Sequence, residues 1–478
     1  MAAEDPSGTG RTSQEEIVMR GSDGAIRDAR ELGVPRMLIL GLQHMFAMFG
    51  ATILVPILVA SYFRDACGQA PSSGLTVAVT LFCAGVGTLL FHVCAKFKVP
   101  AFLGSSFAFL GGFATVANLK SGIYENMSVN DKAAYACGGI VIAGLLYLLL
   151  AVIIRFVGVK KVMHFLPPVV TGPVIICIGL SLAGSAIGNA KTNWFLALIA
   201  LVVIIVFNIW GKGMFKIIPI LMGVVIAYGA ALIMNAAGIK NPDGSTILDF
   251  SQVASAAWIG IPHFQFAKFD LTAILVMAPI AVATMMEHVG DISAISATTG
   301  NSFLVDPGLH RTLLGDGLAT SFAGLIGGPA NTTYGENTGV LELSRVYDPR
   351  VIRLAACYAI IVSFIPKLSD LIGTMPSSII GGVSFMLYGM ISAIGVRNIV
   401  ENKVDLTKSR NLIIAAVIFV CGLGFSDGIT FQVQGTTVTL TALSIAAIAG
   451  IVLNAILPGN DYEFGVNEKG DQHRGVHA

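Results

Sequence analysis

Glu287 and Asp291 stand four residues apart in the run Glu287-His288-Val289-Gly290-Asp291, inside an otherwise apolar stretch. Residues four apart share one face of a helix. Two carboxylates on one face, away from water, cannot both ionise cheaply without partners, so one of them is expected to take up and release a proton. That is what a carrier coupled to protons needs. His288 points about 100° round the same helix, where a packing or hydrogen-bonding role competes with a part in proton coupling. A second acid stands in Tyr334-Gly335-Glu336-Asn337. Glu336 falls where an extended, small-residue stretch becomes helical, so its charge suits a helix N-terminus as well as a ligand. Gly335 allows a close approach to the backbone. The matching turn upstream is Gly104-Ser105-Ser106-Phe107. There, backbone N–H groups are expected to bind a carbonyl oxygen, with Ser106 at the turn and the Phe107 ring offering a face for stacking. Gln43-His44 is a further polar pair in an apolar run, read as an interhelical hydrogen bond.

These residues need elements that hold them away from water. Only 12% of the 478 residues are charged and 55% are hydrophobic, with a mean hydropathy of +0.79. Soluble domains carry about 25% charged residues, so this chain takes lipid as its solvent. The 54 glycines suit close helix packing there. Apolar runs near 38–60, 74–95, 134–157, 168–188, 193–210, 217–237, 271–298, 312–328, 350–366, 376–396, 410–426 and 437–457 make twelve ordinary candidate spans. Two more, 99–118 and 327–344, are short and interrupted. Non-helical backbone at membrane depth is tolerated only where protein buries it or it lines a cavity. A pair of interrupted segments at matching positions in two halves points to a midplane site.

The expected fold is therefore all-α, with fourteen transmembrane segments in two seven-span halves, the second inserted with inverted topology. With both termini cytoplasmic, Lys and Arg in the short loops favour the inner side by about two to one. The outer minority comprises Arg64, Lys120, Lys132, Lys191, Lys240, Lys268 and Lys367. The expected divisions are an N-terminal tail (1–36), spans 1–4 (37–157), spans 5–7 (158–238), an outer linker (239–269), spans 8–11 (270–367), spans 12–14 (368–457) and a C-terminal tail (458–478). Spans 5–7 and 12–14 carry almost no buried charge and read as a scaffold or gate for the polar half.

Several classes are excluded or disfavoured. A formal net charge of +1 provides no field for nucleic acid. The seven cysteines are scattered without a CxxC pair, and no metal-ligand spacing occurs. No HExxH, GxSxG or Walker motif appears, so an enzyme is disfavoured. Neither rings of acids nor hydrophobic constrictions of a channel are evident. No cofactor is expected, and a proton gradient would supply the driving force. Two acids opposite helix N-termini suit a flat, neutral ligand bearing both N–H donors and C=O acceptors, the pattern of a nucleobase such as uracil.

Gly41-Leu42-Gln43-His44-Met45-Phe46-Ala47-Met48-Phe49-Gly50, Gly104-Ser105-Ser106-Phe107-Ala108-Phe109, Glu287-His288-Val289-Gly290, Asp306-Pro307-Gly308-Leu309-His310-Arg311 and Thr332-Thr333-Tyr334-Gly335-Glu336-Asn337-Thr338-Gly339-Val340 resemble the nucleobase–ascorbate transporter family. The resemblance covers about residues 33–457 and is strongest to its bacterial uracil permeases. It implies a core domain (spans 1–4 and 8–11), a gate domain (spans 5–7 and 12–14), and short paired antiparallel strands in spans 3 and 10. It also implies proton symport in the inner membrane, often as a homodimer. Glu287 and Glu336 would hold the base, with backbone partners at Phe107 and Gly335, and Ser106, Tyr334 and Asn337 nearby. Ser344 stands where the family signature usually has Thr. Asp291 stands where uracil permeases often have His, so the proton-linked role would pass to Asp291 with Glu287. A xanthine or urate permease of the same family is the nearest alternative; a non-nucleobase anion carrier of the same fold, or a channel, ranks below it, since Glu287 and Glu336 facing the site would repel an anion.

Overall fold

The computed structural model describes residues 25–425, 428–433, 436–460 and 462; the side chains of 252, 336 and 432–438 lie outside this description. Most of both tails, 1–24, 461 and 463–478, is also outside it.

Helix ends follow local chemistry. α1 (Val34–Cys67) opens with Pro35 in its first turn and stops at Gly68, which adopts φ 80 and returns its N–H to the Arg64 carbonyl. α2 (Val77–Cys94) is capped by Thr76 and α4 (Val129–Val157) by Ser128. Between them lie strand β1 (Leu103–Ser105) and the short helix α3 (Leu110–Ala117). α5 (Pro168–Ala190), α6 (Trp194–Trp210) and α7 (Pro219–Ala236) follow, each opened by Pro or capped by Asn193. Pro173 is one turn inside α5 rather than at its entrance.

α8 (Leu271–Thr299) is capped by Asp270, tightens to a 3-10 turn at Ala278–Ile280 around Pro279, and ends at Gly300. Then come α9 (Leu309–Leu325), β2 (Asn331–Thr333), α10 (Gly335–Ser344) and α11 (Pro349–Ser363). α12 (Ser377–Glu401), α13 (Ser409–Gly424), the hairpin β3 (Ile429–Val433) and β4 (Thr436–Leu440), and α14 (Ala442–Ile456) complete the chain.

Among the described residues seven helices are long and apolar enough to cross a membrane, or eight if α11 and Pro366–Gly373, bent by 86°, form one span. α6, α13 and α14 are shorter apolar helices. The protein is a multi-pass membrane protein of mainly helical architecture.

α4 packs on α9, α9 on α2, and α2 on α11. α5 packs on α12 and α13, and α6 on α7 and α12. Glycine sets two of these crossings. A Cβ on Gly317 of α9 would lie 2.7 Å from the Gly144 carbonyl of α4, and one on Gly395 of α12 would lie 2.7 Å from the Gly172 carbonyl of α5. Backbones this close exclude any side chain, the small-residue packing of helices in lipid.

β1 and β2 pair antiparallel, with Leu103 opposite Thr333, Gly104 opposite Thr332 and Ser105 opposite Asn331. Two further bonds extend the ladder, Tyr334 N–H to Phe102 O (3.0 Å) and Ser106 N–H to Ala330 O (2.8 Å). A two-stranded ribbon in lipid has edges that water cannot satisfy. Here neighbouring side chains supply bonds. Leu103 N–H donates to Thr88 Oγ1 of α2 (2.9 Å), and Thr320 Oγ1 of α9 donates to Asn331 O (2.8 Å). Asn331 Nδ2 donates to Cys83 O (3.0 Å).

The described part of the N-terminal segment is pinned. Ile26 exchanges backbone bonds with Arg345 and Tyr347, Ala29 N–H donates to Asp348 Oδ2 (2.7 Å), and Arg27 reaches the Thr299 carbonyl (3.0 Å). It joins the ends of α8, α10 and α11.

Candidate functional site

The antiparallel strands hand over to helices at opposite ends of the ribbon, and the two junctions border a common space. β1 leads through Phe107 into α3, and β2 leads through Tyr334 into α10. That space is a chamber of about 20 Å³ lined by Phe107, Ile175, Glu287, Asp291, Thr332, Thr333, Tyr334, Gly335, Ile391 and Ile394. It adjoins a vestibule of about 410 Å³, which shares Asp291, Gly335 and Ile394 with it. The vestibule runs out past Glu342, Lys216, Arg397 and Glu401, the end of the bundle where α10 and α12 terminate.

Each wall has a separate origin. α8 brings Glu287 and Asp291 to one side, one turn apart. α5 and α12 bring Ile175, Ile391 and Ile394, an apolar face without charge. Phe107 is held edge-on to Tyr388 of α12, with ring centroids 5.7 Å apart. Gly335 opens α10, and a Cβ there would lie 3.0 Å from Ile394 Cδ1 and 3.6 Å from Asp291 Oδ1. A side chain would therefore fill the junction of chamber and vestibule. Tyr334, the N-cap of α10, contributes no side-chain cap. Its hydroxyl is occupied elsewhere, donating to the Ser105 carbonyl (2.9 Å) and so locking β1 to the start of α10.

A buried polar chain leads away from the chamber. Thr333 Oγ1 donates to Asp291 Oδ2 (2.9 Å) and lies 3.4 Å from His288 Nδ1. His288 Nδ1 is in turn 2.9 Å from Asp316 Oδ2, with both side chains fully buried. The sequence reading left out Thr333 and Asp316. Asp316 carried a usable signal, a carboxylate in the apolar run Leu313-Leu314-Gly315-Asp316-Gly317-Leu318. Thr333 carried none, because its partner is set by how the ribbon packs against α8.

The sequence-nominated residues divide. Phe107, Glu287, Asp291, Tyr334 and Gly335 line the one chamber. His288 faces Asp316 instead. Asn337 points at α1, its Nδ2 donating to the His44 carbonyl (3.3 Å) and lying 3.3 Å from His44 Nδ1. Glu336 is the second residue of α10, and its side chain lies outside the described residues. Ser106 corrects an expectation: its N–H is not left for a ligand, because it continues the ribbon to Ala330. Lys132 corrects another. It is not a solvated loop charge but a buried one, donating to Leu119 O (2.7 Å) and Ala117 O (3.4 Å) at the end of α3. A cation suits the C-terminus of that short helix, whose opposite end faces the chamber. Among the described residues no group of three or more His, Cys, Asp or Glu is placed to hold a metal ion.

A sequence profile of the permease family matches residues 35–431. The chain belongs to this permease family. The family is the one identified from the motifs, the nucleobase–ascorbate transporters. Among its relatives, the uracil permease of Bacillus caldolyticus is 39% identical over 441 residues, covering 89% of this chain and 93% of that protein. The uracil permease of Bacillus subtilis is 39% identical over 436 residues, covering 87% and 91%. Among solved structures, SLC26A9 superposes with a TM-score of 0.60 at 11% identity, covering 90% of the permease. The permease spans 66% of that longer chain, and at this identity the likeness concerns the fold alone.

Proposed function

We propose that the permease imports uracil together with a proton. The observation that carries this reading is the junction of chamber and vestibule: two carboxylates, an aromatic ring and the opening of α10 meet between two broken segments, against an apolar wall, and because the chamber has room for little more than a water, the base would sit where it opens into the vestibule at Asp291, Gly335 and Ile394. The names of the relatives agree with it. In this reading the ring N–H groups of uracil face Glu287 and Glu336. Its carbonyls face backbone N–H groups at Phe107 and Gly335, and the Phe107 ring stacks on the base. Hydrogen bonds to charged groups contribute roughly 1.5–3 kcal/mol each. A nucleoside, substituted at one ring nitrogen, would lose a bond and meet the wall.

The proton would be held on the Glu287/Asp291 face and shared along Asp291, Thr333, His288 and Asp316. Spans 1–4 and 8–11 would move as a core against a gate of spans 5–7 and 12–14. Packing of α4 on α9 and of α5 on α12 supports that division. A fourteen-span inverted repeat is supported by the ribbon, to which each half contributes one strand, held by Thr88 on one side and Thr320 on the other. The open vestibule at the Lys- and Arg-rich end fits a cytoplasm-facing state with both termini inside. A homodimer belongs to the same proposal.

The test is uptake of radiolabelled uracil into proteoliposomes under an inward proton gradient, with unlabelled xanthine, thymine and uridine as competitors. Gradient-dependent uptake that xanthine and uridine leave intact supports the reading. Uptake blocked by xanthine, or absent for uracil, moves the substrate to the purines. Uptake of uracil indifferent to the proton gradient removes the symport.

A further inference from the structure

The linker between α7 and α8 crosses the end of the bundle opposite the vestibule. From Ala256 to Asp270 it is non-helical, yet its backbone is held to four helices in turn. Lys367 N–H donates to Ala257 O, and Gly260 N–H donates to Phe364 O beyond α11. Gly74 N–H, before α2, donates to His263 O (2.8 Å). Gln265 and Ala267 donate to Ile326 and Leu325 at the end of α9, and Lys268 donates to Ala134 in α4 (3.0 Å). Phe264 turns inward, its ring 5.0 Å from that of Phe82.

The other bulky side chains turn outward. Trp258, Ile259, Ile261 and Phe266 are 72%, 83%, 73% and 75% exposed. The apolar surface continues along the rim onto exposed Phe269, Leu271 and Ile361. Lys367 Nζ lies over the Trp258 ring, 5.0 Å from its centroid. In water this would be a large unpartnered apolar patch. Two features favour lipid. The backbone groups named above are satisfied by protein, the condition for irregular chain at membrane depth. An amphipathic ring with a cation drawn over it, level with the helix ends, is the arrangement of the aromatic belt.

We infer that residues 256–270 form a strap lying in the headgroup–acyl boundary of the bilayer, with Trp258, Ile259, Ile261 and Phe266 inserted among the lipids, rather than a loop in water. It ties α2, α4, α9 and α11 together at that depth. The occupant of the patch is lipid, not a second copy of the chain.

The chain has three tryptophans. Trp194→Phe with Trp210→Phe leaves Trp258 as sole emitter in the full-length protein, reconstituted into phosphatidylcholine vesicles. Emission from Trp258 should be lost to lipids brominated near the headgroup and little affected by aqueous iodide. If the double variant is unstable, the emission difference between the unaltered protein and Trp258→Phe reads the same residue. Quenching by iodide without quenching by bromolipid would overturn the inference, as would shielding from both, which would mean that protein covers the patch. The outcome is independent of which substrate the permease carries.

Discussion

Replacing Thr333 by valine removes one hydroxyl and leaves a side chain of the same shape. The hydroxyl donates to Asp291 Oδ2 at 2.9 Å, and both residues are buried. A hydrogen bond to a charged group is worth about 1.5–3 kcal/mol, and losing it leaves a largely buried carboxylate short of a donor. At about 1.4 kcal/mol per tenfold, this corresponds to a change of about 10- to 150-fold in whatever equilibrium the bond supports. Asp291 also touches the junction of chamber and vestibule beside Gly335, so the equilibrium expected to move is substrate and proton occupancy. Thr333→Val should raise the KM for uptake by about tenfold or more and alter its pH profile, whereas Thr333→Ser should retain both. Uptake is measured in proteoliposomes across a range of external pH, with the amount of inserted protein held equal. If Thr333→Val matches the unaltered protein in KM and pH profile, Thr333 does not hold Asp291 for transport and the polar chain is structural only.

Other outcomes follow from the same geometry. Asp316→Leu removes one partner of a fully buried hydrogen-bonded pair and should destabilise by about 1–3 kcal/mol, seen as a lower melting temperature in detergent; an unchanged melting temperature would mean that His288 is satisfied elsewhere. Glu287→Ala and Glu336→Ala should each abolish uptake while the protein still reaches the membrane; uptake at the unaltered rate in either variant would misplace the pocket. Lys132→Met should loosen the end of α3 by about 0.3–2 kcal/mol and Lys132→Arg should restore it, read by hydrogen exchange of the α3 amides. Asp28, outside the spans, is lowered to about 2 by its hydrogen bond from Arg30, with Arg350 contributing. A lowered carboxyl stabilises above its ordinary value and loses that contribution as pH falls through the folded one. Asp28 Oδ1 also accepts from Arg350 Nη1 of α11 (2.8 Å), so exchange protection of the Ile26 amide should hold between about pH 8 and pH 5 and weaken as pH falls further toward the folded value; protection unchanged at the lowest pH would show that Asp28 does not pin the segment.

Much of the site was legible because lipid makes polarity informative. Glu287 and Asp291 stood out as acids in an apolar run, and their four-residue spacing put them on one helix face before any fold was known. Segments 99–118 and 327–344 stood out because small, polar, Pro- and Gly-containing stretches cannot continue a spanning helix. Asp316 obeyed the same rule and was passed over. The distribution of basic residues suggested a topology, yet it misjudged Lys132, because a charge count does not reveal which charge is buried at a helix end.

By itself the sequence determined that the chain lives in a membrane, which segments are broken, and which acids stand within apolar runs. These follow from composition and from periodicities of a few residues. The tertiary structure decided what depends on distant parts of the chain meeting. Packing of the ribbon against α8 joins Thr333 to Asp291, and strand register spends the Ser106 N–H on Ala330. Helix crossing at Gly144 and Gly317 brings α9 against α4. The outer linker, mixed and loop-like as a sequence, becomes a strap with an apolar outer face once its backbone bonds are taken up by four helices. No local pattern encodes these pairings, because they are set by close packing and by the satisfaction of buried polar groups across the fold.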